Sequence, residues 1–110
     1  MSREGDKDGL TTRKRIIELL LRDEGPLTAE DIILKLSLRN TTDEVYEHLK
    51  HVAKTVRRTY RDSRILIMIP PVCRACGYVF KELEGPRKPG RCPKCKSDRI
   101  DPPAFKIVRR

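Results

Sequence analysis

Tryptophan is absent from this 110-residue chain, and two phenylalanines and three tyrosines make up its whole aromatic complement. There is no glycine-rich phosphate loop, and the acidic residues are scattered rather than paired around a pocket. No constellation for catalysis or nucleotide binding follows, so the chain is not expected to be an enzyme. Long apolar runs are missing too: the longest, Ile65 to Met68 extended by Ile69, stops at Pro70-Pro71. A membrane helix needs roughly 18 such residues. Met1-Ser2-Arg3-Glu4-Gly5-Asp6-Lys7-Asp8 contains no apolar signal region, so a soluble, cytoplasmic protein without a membrane partner is expected. At this length one compact domain or two very small ones fit, around a limited core.

Cysteine is scarce but concentrated. All four occur as Cys73-Arg74-Ala75-Cys76 and Cys92-Pro93-Lys94-Cys95, with fifteen residues between the pairs. A two-residue gap lets each pair bend around one ion, and the intervening segment is long enough for a hairpin that brings the pairs together. The rival reading, disulfides, belongs to secreted chains. Four thiolates leave no open position for water, which points to one structural zinc ion per chain held by Cys73, Cys76, Cys92 and Cys95. Iron suits the same four ligands; zinc is favoured because nothing else in the sequence suggests redox work. His48 and His51 are distant from the cysteines and are not expected to be ligands.

Charged residues make up 37% of the chain, with a net charge of +9. Four thiolates around a divalent ion would carry −2, so the positive sign survives metal binding. The excess is localised: residues 61–110 hold thirteen basic against five acidic groups, whereas residues 1–60 are nearly balanced. A polyanionic partner is one consequence of such a surplus, and ordinary solubility is the other.

The first ten residues are charged and aperiodic and are expected to be disordered. Thr12 is placed to cap a helix over about 12–23 with Ile16, Ile17, Leu19, Leu20 and Leu21 on its apolar face, ended by Gly25-Pro26. Thr28-Ala29-Glu30-Asp31 resembles a capping box opening a short second helix. Thr41 or Thr42 caps a third, about 42–60, in which Val45, Leu49, Val52 and Val56 recur at helical spacing. The β-branched run 64–69 reads as a strand, Gly77-Tyr78-Val79-Phe80 as a ribbon strand, and Ala104 to Val108 as a closing strand.

Three helices, a strand, a hairpin and a final strand is the element order of a winged helix. Pro26-Leu27-Thr28-Ala29-Glu30-Asp31-Ile32 through Val45-Tyr46-Glu47-His48-Leu49 resembles the helix-turn-helix of bacterial and archaeal winged-helix regulators, and the two cysteine knuckles resemble zinc ribbons and rubredoxin. Together they resemble a family of small archaeal predicted transcription regulators that join a winged helix-turn-helix to a rubredoxin-like zinc ribbon, over residues of about 11 to 110. The implied fold is α+β: a winged-helix core over 11–70, a zinc ribbon over 71–100 in the wing position, and a closing strand over 101–110. Gly77 follows the first pair, but Lys96 follows the second where glycine is common in such ribbons, which predicts a second knuckle that is either looser or slightly strained.

In winged-helix regulators the third helix commonly enters the major groove. Its exposed side here runs from Asp43 and Glu47 to Lys50, Lys54, Arg57 and Arg61, an order that the helix macrodipole favours in any solvated helix. Candidate DNA contacts are Thr41, Thr42, Tyr46, Lys50, Lys54 and Arg57, joined by Arg87, Lys88 and Arg91 in the ribbon turn. The expected function is a DNA-binding transcriptional regulator, monomeric or homodimeric, with double-stranded DNA as partner. The alternative is a zinc-ribbon adaptor that binds another protein in transcription or translation machinery, and an iron-loaded electron carrier is third.

Overall fold

The computed structural model describes residues 9–110. Elements follow in the order α1 (Leu10–Arg22), β1 (Leu27–Thr28), α2 (Ala29–Leu36), α3 (Thr42–Thr59), β2 (Arg64–Ile69), β3 (Val72–Cys73), β4 (Ile100–Asp101) and β5 (Ala104–Arg109). The result is a small α+β fold with two sheets, one of three strands ordered β1-β5-β2 and one pairing β3 with β4.

Helix starts are set by local chemistry. At α2 the Thr28 hydroxyl accepts from the Asp31 amide at 3.1 Å, while the Thr28 amide donates to the Asp31 carboxylate at 3.0 Å. The expected capping box is thus formed, with the shorter Asp reaching as Glu would. Thr41, not Thr42, caps α3, in the same reciprocal arrangement with Glu44. The expectation at α1 fails. Thr12 does not cap it; the helix begins at Leu10, Gly9 takes the capping position at φ 75, and the Arg13 amide donates to the Gly9 carbonyl at 2.9 Å. Thr12 is instead buried within the helix. A β-carbon on Gly9 would run into the His48 ring of α3, so a residue free to adopt positive φ fits where the chain approaches closely. The expected disorder over residues 1–10 therefore fails at Gly9 and Leu10, and its remainder, residues 1–8, lies outside the described residues.

One apolar core joins the helices to the larger sheet. Ile16, Leu19 and Leu20 from α1, Ile32 and Leu36 from α2, and Val45, Leu49, Val52 and Val56 from α3 meet Phe105 and Ile107. Strand β5 lies centrally: Phe105 sits opposite Leu27 of β1 on one side and Met68 of β2 on the other. Its six-residue antiparallel register with β2, Arg64 opposite Arg109 through Ile69 opposite Ala104, turns Phe105 and Ile107 toward the helices together with Leu66 and Met68. Side chains alternate across a strand, so Ile65, Ile67 and Val108 take the opposite face.

The segment between β2 and β5 leaves this core and forms a second cluster of Cys73, Cys92 and Ile100, with Phe80 packed against it. The Cα radius of gyration is 14.7 Å, against about 13 Å for a rounded domain of this length, which fits a projecting lobe. The expected strand at 77–80 is not one: only Val79 bridges back, to Val72. Knuckle turns bound to a metal need little ladder to hold them. Among the described residues, no helix is long and apolar enough to cross a membrane.

Candidate metal centre and basic surfaces

The four cysteine sulfurs lie within 4.8 Å of one another. Cys73 Sγ is 3.6 Å from Cys95 Sγ, and Cys76 Sγ is 3.7 Å from Cys92 Sγ. A tetrahedron with zinc–sulfur bonds of about 2.3 Å has edges of about 3.8 Å, so the cluster already has the dimensions of a four-thiolate shell.

Each knuckle is built by the same backbone turn. After the first pair the Gly77 amide donates to the Cys73 carbonyl at 2.8 Å with Gly77 at φ 83; after the second, Lys96 donates to Cys92 at 2.9 Å with φ 67. Of the two alternatives expected at Lys96, strain is the one present, because a residue with a β-carbon occupies the left-handed region that glycine enters freely. In return the amides of Lys94 and Cys95 point at Cys92 Sγ, at 3.3 and 3.5 Å. Burial raises the Cys92 thiol, but those amides and the neighbouring Cys76 and Cys73 thiols outweigh it and bring the group down to about 7. Burial also raises Cys73, and the amides of Cys76 and Ala75 with the Cys95 and Cys76 thiols reverse it. Amide donors favour the thiolate, the form that binds metal. Cys73 and Cys92 are buried whereas Cys76 and Cys95 face outward. The lobe is a four-cysteine zinc-ribbon site for one metal ion.

The basic candidates separate into two groups. Thr41 and Thr42 stand at the start of α3, with the Thr41 hydroxyl engaged as the cap. Tyr46 leaves the contact set: it is only 6% exposed and its ring lies against Phe105 with centroids 6.2 Å apart, so it belongs to the core. Desolvation raises its phenol pKa, with Glu30 and Asp43 adding to the effect. Lys50 is exposed but donates to Glu47 at 2.9 Å, which holds the Glu47 carboxyl below its usual range. Lys54 and Arg57 follow on the next turns, Arg57 paired with Asp62 at 3.5 Å. From Thr42 to Arg57 the helix runs about 22 Å.

Arg87, Lys88 and Arg91 are exposed on the ribbon's return segment. That segment does not stand clear of the helix. Gly85 and Pro86 close a cavity of about 130 Å³ with Leu49, Lys50 and Ala53 of α3 and with Met68, and a β-carbon on Gly85 would lie 3.9 Å from Lys50 Cε. The turn that precedes Arg87 therefore rests beside the middle of α3. Sequence reasoning missed this juxtaposition, which depends on a contact between residues some 35 positions apart. It also passed over Arg58, and noted Arg61 as exposed without making it a candidate contact. Both line an open cleft with Lys54 and Arg57. Their spacing at 54, 57, 58 and 61, one helical face, was the available signal.

Comparison with known proteins matches the chain in two consecutive stretches. Residues 11–62 match the family described as PF0610-like, N-terminal, and residues 70–110 match the PF0610 rubredoxin-like zinc beta-ribbon domain. No curated protein matches. Among solved structures, the solution NMR structure of protein PF0610 from Pyrococcus furiosus is 38% identical, covers 93% of this chain and 92% of its own, and superposes with a TM-score of 0.73. With both halves matched in order and that identity carried over nearly the whole length, the chain belongs to the PF0610-like family, whose second half is a rubredoxin-like zinc ribbon.

Proposed function

We propose that the chain is a DNA-binding transcriptional regulator of winged helix-turn-helix type, with α2 and α3 as the helix-turn-helix and the zinc ribbon in the position of the wing. In this reading β2 and β5 are the strands that carry the wing, β1 is the short strand that completes their sheet, and zinc is a structural staple. The protein acts in the cytoplasm on double-stranded DNA and catalyses no reaction. The observation that carries the reading is the seat of Gly85 and Pro86 beside Lys50 and Ala53, because it brings the basic turn of the ribbon and the exposed side of α3 to one side of the molecule. Cations that adjoin in this way suit a phosphate backbone.

Neutralising Arg87, Lys88 and Arg91 together tests it. These exposed side chains are expected to touch phosphate without reading sequence, so the triple glutamine variant binds all duplexes more weakly. The magnitude of its slope of log affinity against log salt falls by about 0.9 for each phosphate that the variant no longer neutralises. Thr42→Ala or Lys50→Ala instead mostly erodes preference between sequences. An unchanged salt slope in the triple variant contradicts a DNA-contacting wing.

A further inference from the structure

The two halves of α3 carry opposite charge. Asp43, Glu44 and Glu47 occupy its first turns, and Glu47 also takes up the ammonium of Lys50. Its last turns and the turn that follows present Lys54, Arg57, Arg58 and Arg61, all exposed, along an open cleft of about 580 Å³ whose apolar wall is Ala53, Ile65 and Leu66. On the far side of the same ridge, Lys54 and Arg58 line a second cleft with Arg13 and Lys14 of α1. Among the described residues Asp62 is the only carboxylate lining either cleft, and the only ion pair that the four cations of the ridge make is Arg57 with Asp62.

The macrodipole does not account for this. It places about half a negative charge at a helix C-terminus, whereas four cations against one carboxylate leave about six times that amount of positive charge. The backbone adds a second observation. Arg61 and Asp62 both lie in the left-handed region, at φ 49 and φ 68. The Asp62 amide donates to the Arg57 carbonyl at 3.1 Å, and the Ser63 hydroxyl and amide donate to the Tyr60 carbonyl at 2.7 and 2.8 Å. Glycine or asparagine makes such a turn with less strain, yet an arginine stands there and its side chain lines the cleft.

We infer that the cleft between the C-terminal half of α3 and β2 is a phosphodiester-backbone site, so that the phosphates of duplex DNA are held at the basic end of the helix, while its N-terminal end, with Thr42, is left to face base edges. The inference rests on the DNA-binding reading and specifies where the duplex sits. From position 54 to the end of α3 at 59 the helix advances about 8 Å, over which a duplex presents about four phosphate charges, as many as the cations that the ridge and its closing turn present. The apolar wall suits the sugar edges between them.

The test uses the zinc-loaded full chain and a fluorescein-labelled duplex of mixed sequence, about 16 base pairs long so that it spans roughly one and a half turns, followed by anisotropy over a salt series. Arg58→Gln with Arg61→Gln is expected to lower affinity about tenfold and to reduce the salt slope by about 1.8, the value for two phosphates left without a cation. Arg58→Lys with Arg61→Lys keeps the charges and is expected to bind within a few-fold of wild type. Arg22→Gln with Lys35→Gln removes two charges at the ends of α1 and α2 and is expected to change little. Weakening just as large in that control pair, or unaltered binding by the Arg58/Arg61 glutamine pair, overturns the cleft site and leaves the DNA-binding reading standing. Absence of salt-sensitive binding by the wild type overturns both.

Discussion

Cys92→Ser abolishes stoichiometric zinc binding and unfolds the segment from about 71 to 101, while the three helices and the β2–β5 pairing persist. Wild type is expected to hold one zinc per chain in an all-sulfur shell. The buried cluster of this lobe is Cys73, Cys92 and Ile100 with Phe80 against it, and roughly 30 residues with so small a core do not fold without a staple. Metal-binding free energy is folding free energy in such a lobe, of order 10–16 kcal/mol for structural zinc. The helical part has its own core, and its central strand is anchored by Phe105 and Ile107 rather than by the ribbon. Amide exchange should therefore show protection abolished around the knuckles and retained in α1, α3 and β5, with a far-UV helical signal close to wild type. Uniform loss of helical signal would mean that the helical core depends on the metal.

Phe105→Ala has the complementary effect. The side chain is 1% exposed, faces Leu27 and Met68 across both neighbouring strands, and packs against the Tyr46 ring. Truncating a phenylalanine at such a site costs about 3–5 kcal/mol, from forfeited transfer energy and the cavity left behind, a large share of the roughly 5–15 kcal/mol typical of a whole domain. The helical transition in guanidinium is expected to move to markedly lower denaturant, with zinc still bound at one per chain because the cysteines belong to the separate cluster of the ribbon. Equal loss of zinc and helix in this variant would show one cooperative unit where two are described.

Much of this organisation is legible in the chain. The cysteine spacing specifies the metal site because each Cys-X-X-Cys turn closes locally, and the Thr28 and Thr41 boxes mark helix starts for the same reason. What is not legible depends on distant partners. Strand β1 is two residues long and exists because β5, almost eighty positions later, pairs with it. Tyr46 falls between the core stripe and the exposed side of α3, and only the position of Phe105 decides that it is buried. Thr12 has the right side chain for a cap, but Gly9 lets the chain turn three residues earlier, against His48. The seat of the ribbon's return segment beside Lys50 is a tertiary contact with no local signal. The basic ridge at the end of α3 is written in the sequence, but only the turn at Arg61 and Asp62 folds it into a cleft.

Salt dependence of duplex binding tests the central claim most directly, namely that α3 and the zinc ribbon together form a DNA-binding surface. A mixed-sequence duplex titrated with zinc-loaded wild-type protein, from low ionic strength upward, is expected to give log affinity falling linearly with log salt. About seven phosphate contacts, four from the ridge and three from the ribbon turn, correspond to a slope of about −6. No association at low ionic strength, or a slope near zero, contradicts direct DNA recognition and moves the protein-adaptor reading ahead.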